Sequence, residues 1–223
     1  MKRTIQQTDD GSHTINVAEM NVTYHSTHGA IQESMHVFIN AGLQQLLNKK
    51  KTLNVFEMGF GTGLNALLTL REGIRHQQKI YYTAIELNPL EDSLIEKLNY
   101  PALLDDEHLQ KYFTTIHNCN WNEEVNIHPH FTLHKLILSL QNFFTEKRFD
   151  LVYFDAFDPT VQPELWTQSI FEKLFSMLSN NGILTTYSSK GNVRRAIITA
   201  GFTVEKIPGP PGKREMIRAI KKV

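Results

Sequence analysis

The 223-residue sequence contains one cysteine, Cys119, so it can form no intramolecular disulfide and build no multi-cysteine metal site. It has no long uncharged apolar run either. Nothing approaches the ~20 residues that span a bilayer, and the opening MKRTIQQTDDGSH is polar rather than signal-like. Internal repeats and low-complexity segments are missing. These absences exclude a disulfide scaffold and a membrane partner, and they predict a soluble cytoplasmic protein with one substantial core. Net charge is also lacking, with 23 basic residues against 23 acidic ones, which argues against tight, indiscriminate nucleic-acid binding. The zero hides an asymmetry. From Lys190 to Val223 nine Lys or Arg stand against two Glu, a net +7, and the preceding 189 residues carry −7. A segment of that kind either meets a phosphate backbone or forms a solvated basic edge strand and helix face, and charge alone supports both readings.

What is present is an alternation. Residues 1–50 read as an N-terminal extension that packs on the active site, with strand-like TINVAEMNVTYHS and an amphipathic helix over IQESMHVFINAGLQQLL. Residues 51–223 read as one domain. Strands are predicted at Thr52–Met58, Lys79–Glu86, Phe131–His134, Phe149–Phe154, Gly182–Tyr187, Thr203–Ile207 and Glu215–Lys221. Helices are predicted at Leu64–Arg75, Pro89–Leu98, Pro163–Leu178 and Val193–Ala200, and the polar stretch Tyr100–Asn126 has no clear assignment. Strands alternating with helices imply an α/β fold, a mostly parallel sheet covered on both faces. The last two strands, joined by PGPPGKR, imply an antiparallel addition at one edge. Ligands bind such sheets at the carboxyl ends of strands, where Glu57, Glu86 and Asp155 all fall.

The run VFEMGFGTGLNAL follows the first of these strands. Gly59, Gly61 and Gly63 alternate with Phe60 and Thr62, which is neither the dinucleotide spacing G-x-G-x-x-G nor a phosphate loop ending in G-K-[ST]. Alternating glycines let a ligand approach the backbone. Glu57 suits an ammonium group, and Glu86 at the next strand end suits ribose hydroxyls. A nucleoside with a cationic amino-acid tail, S-adenosylmethionine, meets both requirements. Taken singly, the glycines could be a packing turn and Glu86 a solvated strand end; together they favour the cofactor site.

This E-x-G-x-G-x-G run resembles the signature of class I methyltransferases, and the chain from Leu53 onward resembles their Rossmann-like seven-stranded sheet. One departure is that the stretch after the third strand, LHKLILSLQNF, offers only Ser139 where many members place an acid for the adenine amino group. In that fold the position of FDAFDP abuts the transferable methyl. A carboxylate there can orient an amine lone pair, stabilise the positive charge that develops on nitrogen, or take the proton. Asp155 is the candidate for that catalytic role, in contact with cofactor as well; its alternative is a strand-terminal loop cap. Phe157 could stack on a planar base, and Asp158 before Pro159 reads as a turn starter.

Four runs narrow the resemblance: YHSTHGAIQESMHVFINAGL, EMGFGTGLN, FDAFDPTVQPELWT and TYSSKGNVRRAIITAGFTVEKIPGPPGKREMIRA. Together they resemble the methyltransferase domain of MnmC-type enzymes. That resemblance implies methyl transfer from S-adenosylmethionine to the primary amine of 5-aminomethyl-(2-thio)uridine at the tRNA wobble position, with the anticodon stem-loop as partner. It implies a stand-alone form without the flavin oxidoreductase domain, hence no FAD; no metal is expected. By the same matching, Glu57, Gly59, Phe60, Gly61, Thr62, Gly63 and Glu86 go to the cofactor. Tyr24, Glu33, Phe157, Lys190, Arg194, Arg195, Lys213 and Arg214 go to the substrate, the cations holding anticodon phosphates. Glu33 reads alternatively as a solvated partner of His36, Trp166 as helix core, and the late cations as partners of the acidic remainder.

Two other signals carry less. His128, His130 and His134 suggest a metal, but no matching carboxylates are evident. Cys119 has only His117 as a neighbouring base, and transfer to nitrogen needs no thiol. Rival functions are a polyamine-synthase-like aminopropyltransferase, a small-molecule amine N-methyltransferase, and a catalytically silent tRNA- or nucleotide-binding module.

Overall fold

The computed structural model describes residues 2–222. Three short strands open the chain: β1 (Arg3–Gln7), β2 (His13–Val17) and β3 (Val22–Thr23) pair antiparallel into a small meander. A single α-helical turn follows, α1 (Ala30–Ser34), which widens at once into a π-helical stretch, Met35–Asn40. The expected continuous helix through Leu47 is interrupted at Gly42. A Cβ there would stand 2.6 Å from the Phe38 carbonyl oxygen, so the chain turns where only glycine fits.

The main sheet is built from β4 (Thr52–Met58), β5 (Lys79–Glu86), β6 (Glu124–His128), β7 (Phe131–Ile137), β8 (Phe149–Phe154), β9 (Leu178–Thr186), β10 (Thr203–Pro208) and β11 (Glu215–Ile220). Between them lie α2 (Leu64–Arg75), α3 (Asp92–Ile95), α4 (Tyr100–Leu103), α5 (Leu109–Asn118), α6 (Gln168–Met177) and α7 (Gly191–Thr199). The order across the sheet is β10-β11-β9-β8-β4-β5-β7-β6. β9, β8, β4, β5 and β7 run parallel, whereas β11 and β6 are antiparallel to their neighbours. The α/β Rossmann-like sheet expected from the sequence is therefore present, with eight strands rather than seven. The added strand is β6, an edge strand in the unassigned polar stretch. It buries little, so no apolar alternation marks it. The antiparallel β11 lies inside the sheet, and β10 forms the edge.

The unassigned stretch also contains α4 and α5. In α5, Leu109, Phe113 and Ile116 bury one face at intervals of four and three, and the polar residues between them dilute the pattern. The helix expected over Pro89–Leu98 shrinks to the one turn of α3. The helix expected from Pro163 starts instead at Gln168, where the Thr167 hydroxyl accepts a hydrogen bond from the Ile170 amide at 3.5 Å.

Period-two alternation divides β4 between two cores. Leu53 and Val55 face α2 and the N-terminal helix, while Phe56 faces the side covered by α6 and α7. Every residue of β8 is buried, as expected for a central strand covered on both faces. Strand order reverses between β4 and β8, and their carboxyl ends lie side by side, Glu57 opposite Tyr153 and Met58 opposite Phe154. Phe56 is fully buried and stacks on Phe143 with ring centroids 5.0 Å apart. Phe56→Ala should therefore cost about 3–5 kcal/mol. Urea denaturation checks this, with a lower midpoint and an unchanged slope as the expected result.

Candidate active site

At the strand-order reversal the chain leaves β4 through three glycines with positive φ, +90° at Gly59, +49° at Gly61 and +69° at Gly63. The first and third of these positions are also sterically closed to a side chain. A Cβ on Gly59 would meet the Asp155 carbonyl oxygen at 2.6 Å, and one on Gly63 would meet His117 Nε2 at 2.8 Å. The loop is fixed by the Gly59 and Phe60 amides, which both donate to the Ile85 carbonyl at 3.1 Å, and by the Asp155 amide donating to Met58 at 3.1 Å. Its edge opens on a cavity of about 510 Å³, well within the range of small-molecule sites.

Of the residues expected for the cofactor, Gly59, Phe60, Gly61, Thr62, Glu86 and Asp155 line this cavity. Glu86 sits at the end of β5, with one carboxyl oxygen accepting from the Gly61 amide at 3.0 Å and the other from the Asn88 amide at 2.9 Å. Each oxygen keeps acceptor capacity for a ligand hydroxyl. Phe60 contributes backbone only. Its ring packs into the core against His117 and Trp121, with the ammonium of buried Lys135 5.5 Å from its centroid. Thr62 is held from both sides, its hydroxyl hydrogen-bonded to His25 Nε2 at 2.7 Å and its carbonyl accepting from His117 Nε2 at 3.1 Å. Burial lowers both histidines to about 4, so both are neutral braces at physiological pH. Ser139 also lines the cavity, beside Leu138, Leu140 and Gln141.

Glu57 departs from expectation. It does not line the cavity but lies fully buried at the end of β4, beside the Asn65 amide and the Tyr82 hydroxyl. Desolvation, with the Asp155 charge nearby, pushes it well above the usual carboxylate range and favours its neutral form. The residue that sequence reasoning missed is Asn65, beside both acids. Its Nδ2 donates to Asp155 Oδ2 at 2.9 Å, while its buried Oδ1 has no partner. The signal was available: an amide side chain on the apolar face at the start of α2. A glycine cradle, an unmet buried acceptor at Asn65 Oδ1, the cavity-facing carboxyl of Asp155 and a carboxylate at the end of β5 together fit a nucleoside bearing an ammonium group.

Asp155 lies deep in the molecule yet opens onto the cavity. Burial and the nearby Glu33 charge raise its carboxyl to about 7, against the opposing effects of Asn65 and Lys213. Tyr24, Glu33, Phe157 and Lys213 from the expected substrate set line the same cavity. Tyr24 and Phe157 meet edge to face at 5.1 Å. Glu33 is buried and accepts from the Ser26 amide at 2.7 Å, so it is no solvated partner of His36, whose ring is tied to the Pro208 carbonyl. The basic set divides. Lys213 is turned into the cavity wall against Glu33 at 2.7 Å, and Lys190 pairs with Asp158 at 2.6 Å. Arg194, Arg195 and Arg214 remain exposed, without an ion pair among the described residues. Trp166 is core, its indole N–H donating to the Phe157 carbonyl at 2.8 Å. Tyr187 at the end of β9 and Arg3 near the N-terminus also line the cavity, neither of them foreseen.

A family model described as S-adenosyl-L-methionine-dependent methyltransferase matches residues 105–222, more than half of the chain. The chain belongs to this family. Among its relatives, the tRNA 5-methylaminomethyl-2-thiouridine biosynthesis bifunctional protein MnmC of Burkholderia thailandensis is 28% identical, with 87% of this chain and 31% of that protein covered. The protein of the same name from Aromatoleum aromaticum is 29% identical, with 95% and 34% covered. This methyltransferase spans about a third of the length of the curated relatives it matches. Among solved structures, MnmC2 from Aquifex aeolicus superposes with a TM-score of 0.83 over 100% of this chain and 71% of that one, at 23% identity. Spermidine synthase from Thermotoga maritima gives 0.53 over 98% and 71%, at 14% identity. At these identities the two structures attest the shared fold.

Among the described residues of this methyltransferase, no group of three His, Cys, Asp or Glu is placed to hold a metal, and no helix is long and apolar enough to cross a membrane. Cys119 is half-buried, its thiol raised by burial and directed at the Ile116 carbonyl. The raised Asp155 carboxyl has a consequence for stability. Between its ordinary value of 3.8 and about 7 the folded protein holds this proton more tightly than the unfolded chain, so stability is lost as pH rises through that window. Asp155→Asn removes the effect. Its melting-temperature advantage over the parent, scanned by calorimetry without ligand, should grow as pH rises from about 4 to about 7 and level off above that, at roughly 2–4 °C per kcal/mol.

Proposed function

We propose that this methyltransferase transfers a methyl group from S-adenosylmethionine to the primary amine of 5-aminomethyl-(2-thio)uridine at the wobble position of tRNA, giving 5-methylaminomethyl-(2-thio)uridine. The observation that carries the reading is Asp155, a cavity-facing carboxylate at the end of β8 beside the glycine cradle and within the field of a second buried acid, Glu33. Two carboxyls around one cavity suit a substrate that arrives as a cation and regains positive charge on reaction. The names of the MnmC relatives supply the substrate class.

In this proposal the backbone of Gly59 and Gly61, with Glu86, holds the cofactor, and Glu57 and Asn65 close the cradle from behind. Bound there, S-adenosylmethionine supplies an electrophilic methyl on a sulfonium. Asp155 accepts a hydrogen bond from the substrate amine, aligns its lone pair and takes its proton. A carboxyl near 7 takes a proton at neutral pH more readily than one near 4. Tyr24 and Phe157 give the pyrimidine an aromatic wall, and residues 1–50 cover the site from the side of β3 and α1. Arg194, Arg195 and Arg214 meet phosphates of the anticodon stem-loop in the cytoplasm. The reaction needs neither flavin nor metal.

The direct test is nucleoside mass spectrometry of wobble-modified tRNA lacking the final methyl, incubated with the protein and labelled S-adenosylmethionine. Label in the 5-methylaminomethyl uridine peak is expected. Label in a free amine only, or transfer only from the decarboxylated donor to a polyamine, overturns the proposal. Asp155→Ala should lower kcat by about 10²–10³-fold, the range for removing a general base or a hydrogen bond to the transition state. Cofactor affinity, measured by calorimetry, should change far less. Replacing Arg194, Arg195 and Arg214 together with Ala should weaken tRNA binding and flatten its log–log salt dependence by roughly 0.7–0.9 for each phosphate no longer neutralised.

A further inference from the structure

We infer that Glu33 and the Tyr187 ring, together with Asp155, form the seat that recognises the substrate's primary amine, and that the ammonium of Lys213 occupies this seat until the substrate displaces it. The inference rests on the amine substrate proposed above and names the groups that select it.

Lys213 lies in the loop between β10 and β11, in the net-positive part of the chain, yet its side chain points inward. Its Nζ is 2.7 Å from Glu33 Oε1 and 3.8 Å from the centre of the Tyr187 ring. A carboxylate on one side and an aromatic face on another are the two chemistries that hold an alkylammonium. Both partners are fixed before any cation arrives. Glu33 Oε2 accepts from the Ser26 amide at 2.7 Å, and the Tyr187 hydroxyl donates to the Ala156 carbonyl at 2.8 Å. Asp155 shares the cavity, and its carboxyl responds to the charges of both Glu33 and Lys213. The lysine itself is not locked in, since its side chain is 34% exposed against 9% for Glu33. Arg3, another cation on the cavity wall, is tied to the Asn88 and Pro89 carbonyl oxygens and is not available for the seat.

An aminomethyl group is a shorter version of the lysine terminus and can replace it charge for charge. A hydroxymethyl group of similar shape cannot, because displacing Lys213 would leave Glu33 buried and unpaired. The internal ammonium therefore acts as a selectivity filter for amines. Once displaced, Lys213 joins Arg214 on the outer surface, where an RNA phosphate can receive it.

The test compares 5-aminomethyluridine and 5-hydroxymethyluridine nucleosides as calorimetric probes against the parent, Lys213→Met and Glu33→Gln, with melting curves to establish that each variant is folded. Lys213→Met should bind the amine about tenfold more tightly and leave the alcohol nearly unchanged. Glu33→Gln should weaken the amine by about tenfold and erase the preference over the alcohol. A structure with the amine bound should show Lys213 away from Glu33. Unchanged or weaker amine binding by folded Lys213→Met, or an unchanged preference in Glu33→Gln, overturns the inference while tRNA methylation by the parent still stands. A parent that methylates no wobble amine overturns the functional proposal and this inference together.

Discussion

The backbone of Gly59 lies against the carbonyl of Asp155, and the site depends on that approach. Adjacent parallel strands β4 and β8 end at the same level, and the next residue of each must share a gap too narrow for a Cβ. Glycine at +90° fills it, the loop then turns through Gly61 and Gly63, and α2 begins directly afterwards. The same contact brings a ligand cradle and an acid into one cavity. A side chain at position 59 would push β8 away, and Asp155 with it.

The second constraint is electrostatic. Glu33 and Asp155 face one cavity, Glu57 lies buried close to Asp155, and desolvation raises Glu57 and Asp155. Such a cluster favours protonated acids or a bound cation, and both are useful where an amine must be captured and then stripped of its proton. Lys213 pairs with Glu33, and the Asn65 amide donates to Asp155. The N-terminal segment supplies Glu33 and the β10–β11 loop supplies Lys213. The contact between them therefore ties the first and last parts of the chain over the centre of the sheet.

The elements of the central sheet were legible because their burial is extreme. The bounds of β4, α2, β5 and β8 follow from unbroken apolar runs or clear helical spacing between strong turn signals. β6, α4 and α5 were not legible, because they bury one thin face at the sheet's edge and the pattern disappears among polar residues. The π-helical stretch was hidden for the opposite reason, since Val37, Phe38 and Ile39 are buried in succession and no single face stands out. Of the residues that line the cavity, Gly59, Gly61, Glu86 and Asp155 could be placed at strand ends and in the loop after β4 from the sequence pattern. Glu57 was placed at the right strand end, but it does not line the cavity. Alternation assigns a face of the sheet, not whether a side chain opens on the cavity beside the turn that follows.

The order of residues along the chain was enough for an alternating α/β fold, a glycine loop unsuited to dinucleotide or phosphate binding, and acids at three strand ends, since these depend on local pattern and backbone conformation. The burial of Glu57, the role of Asn65 and the inward turn of Lys213 depended on the fold. Each is set by contacts across tens to more than a hundred positions, which add desolvation and charge from elements remote in the chain. A basic residue in a basic tail reads as a phosphate contact until a distant buried acid and an aromatic face are brought against it.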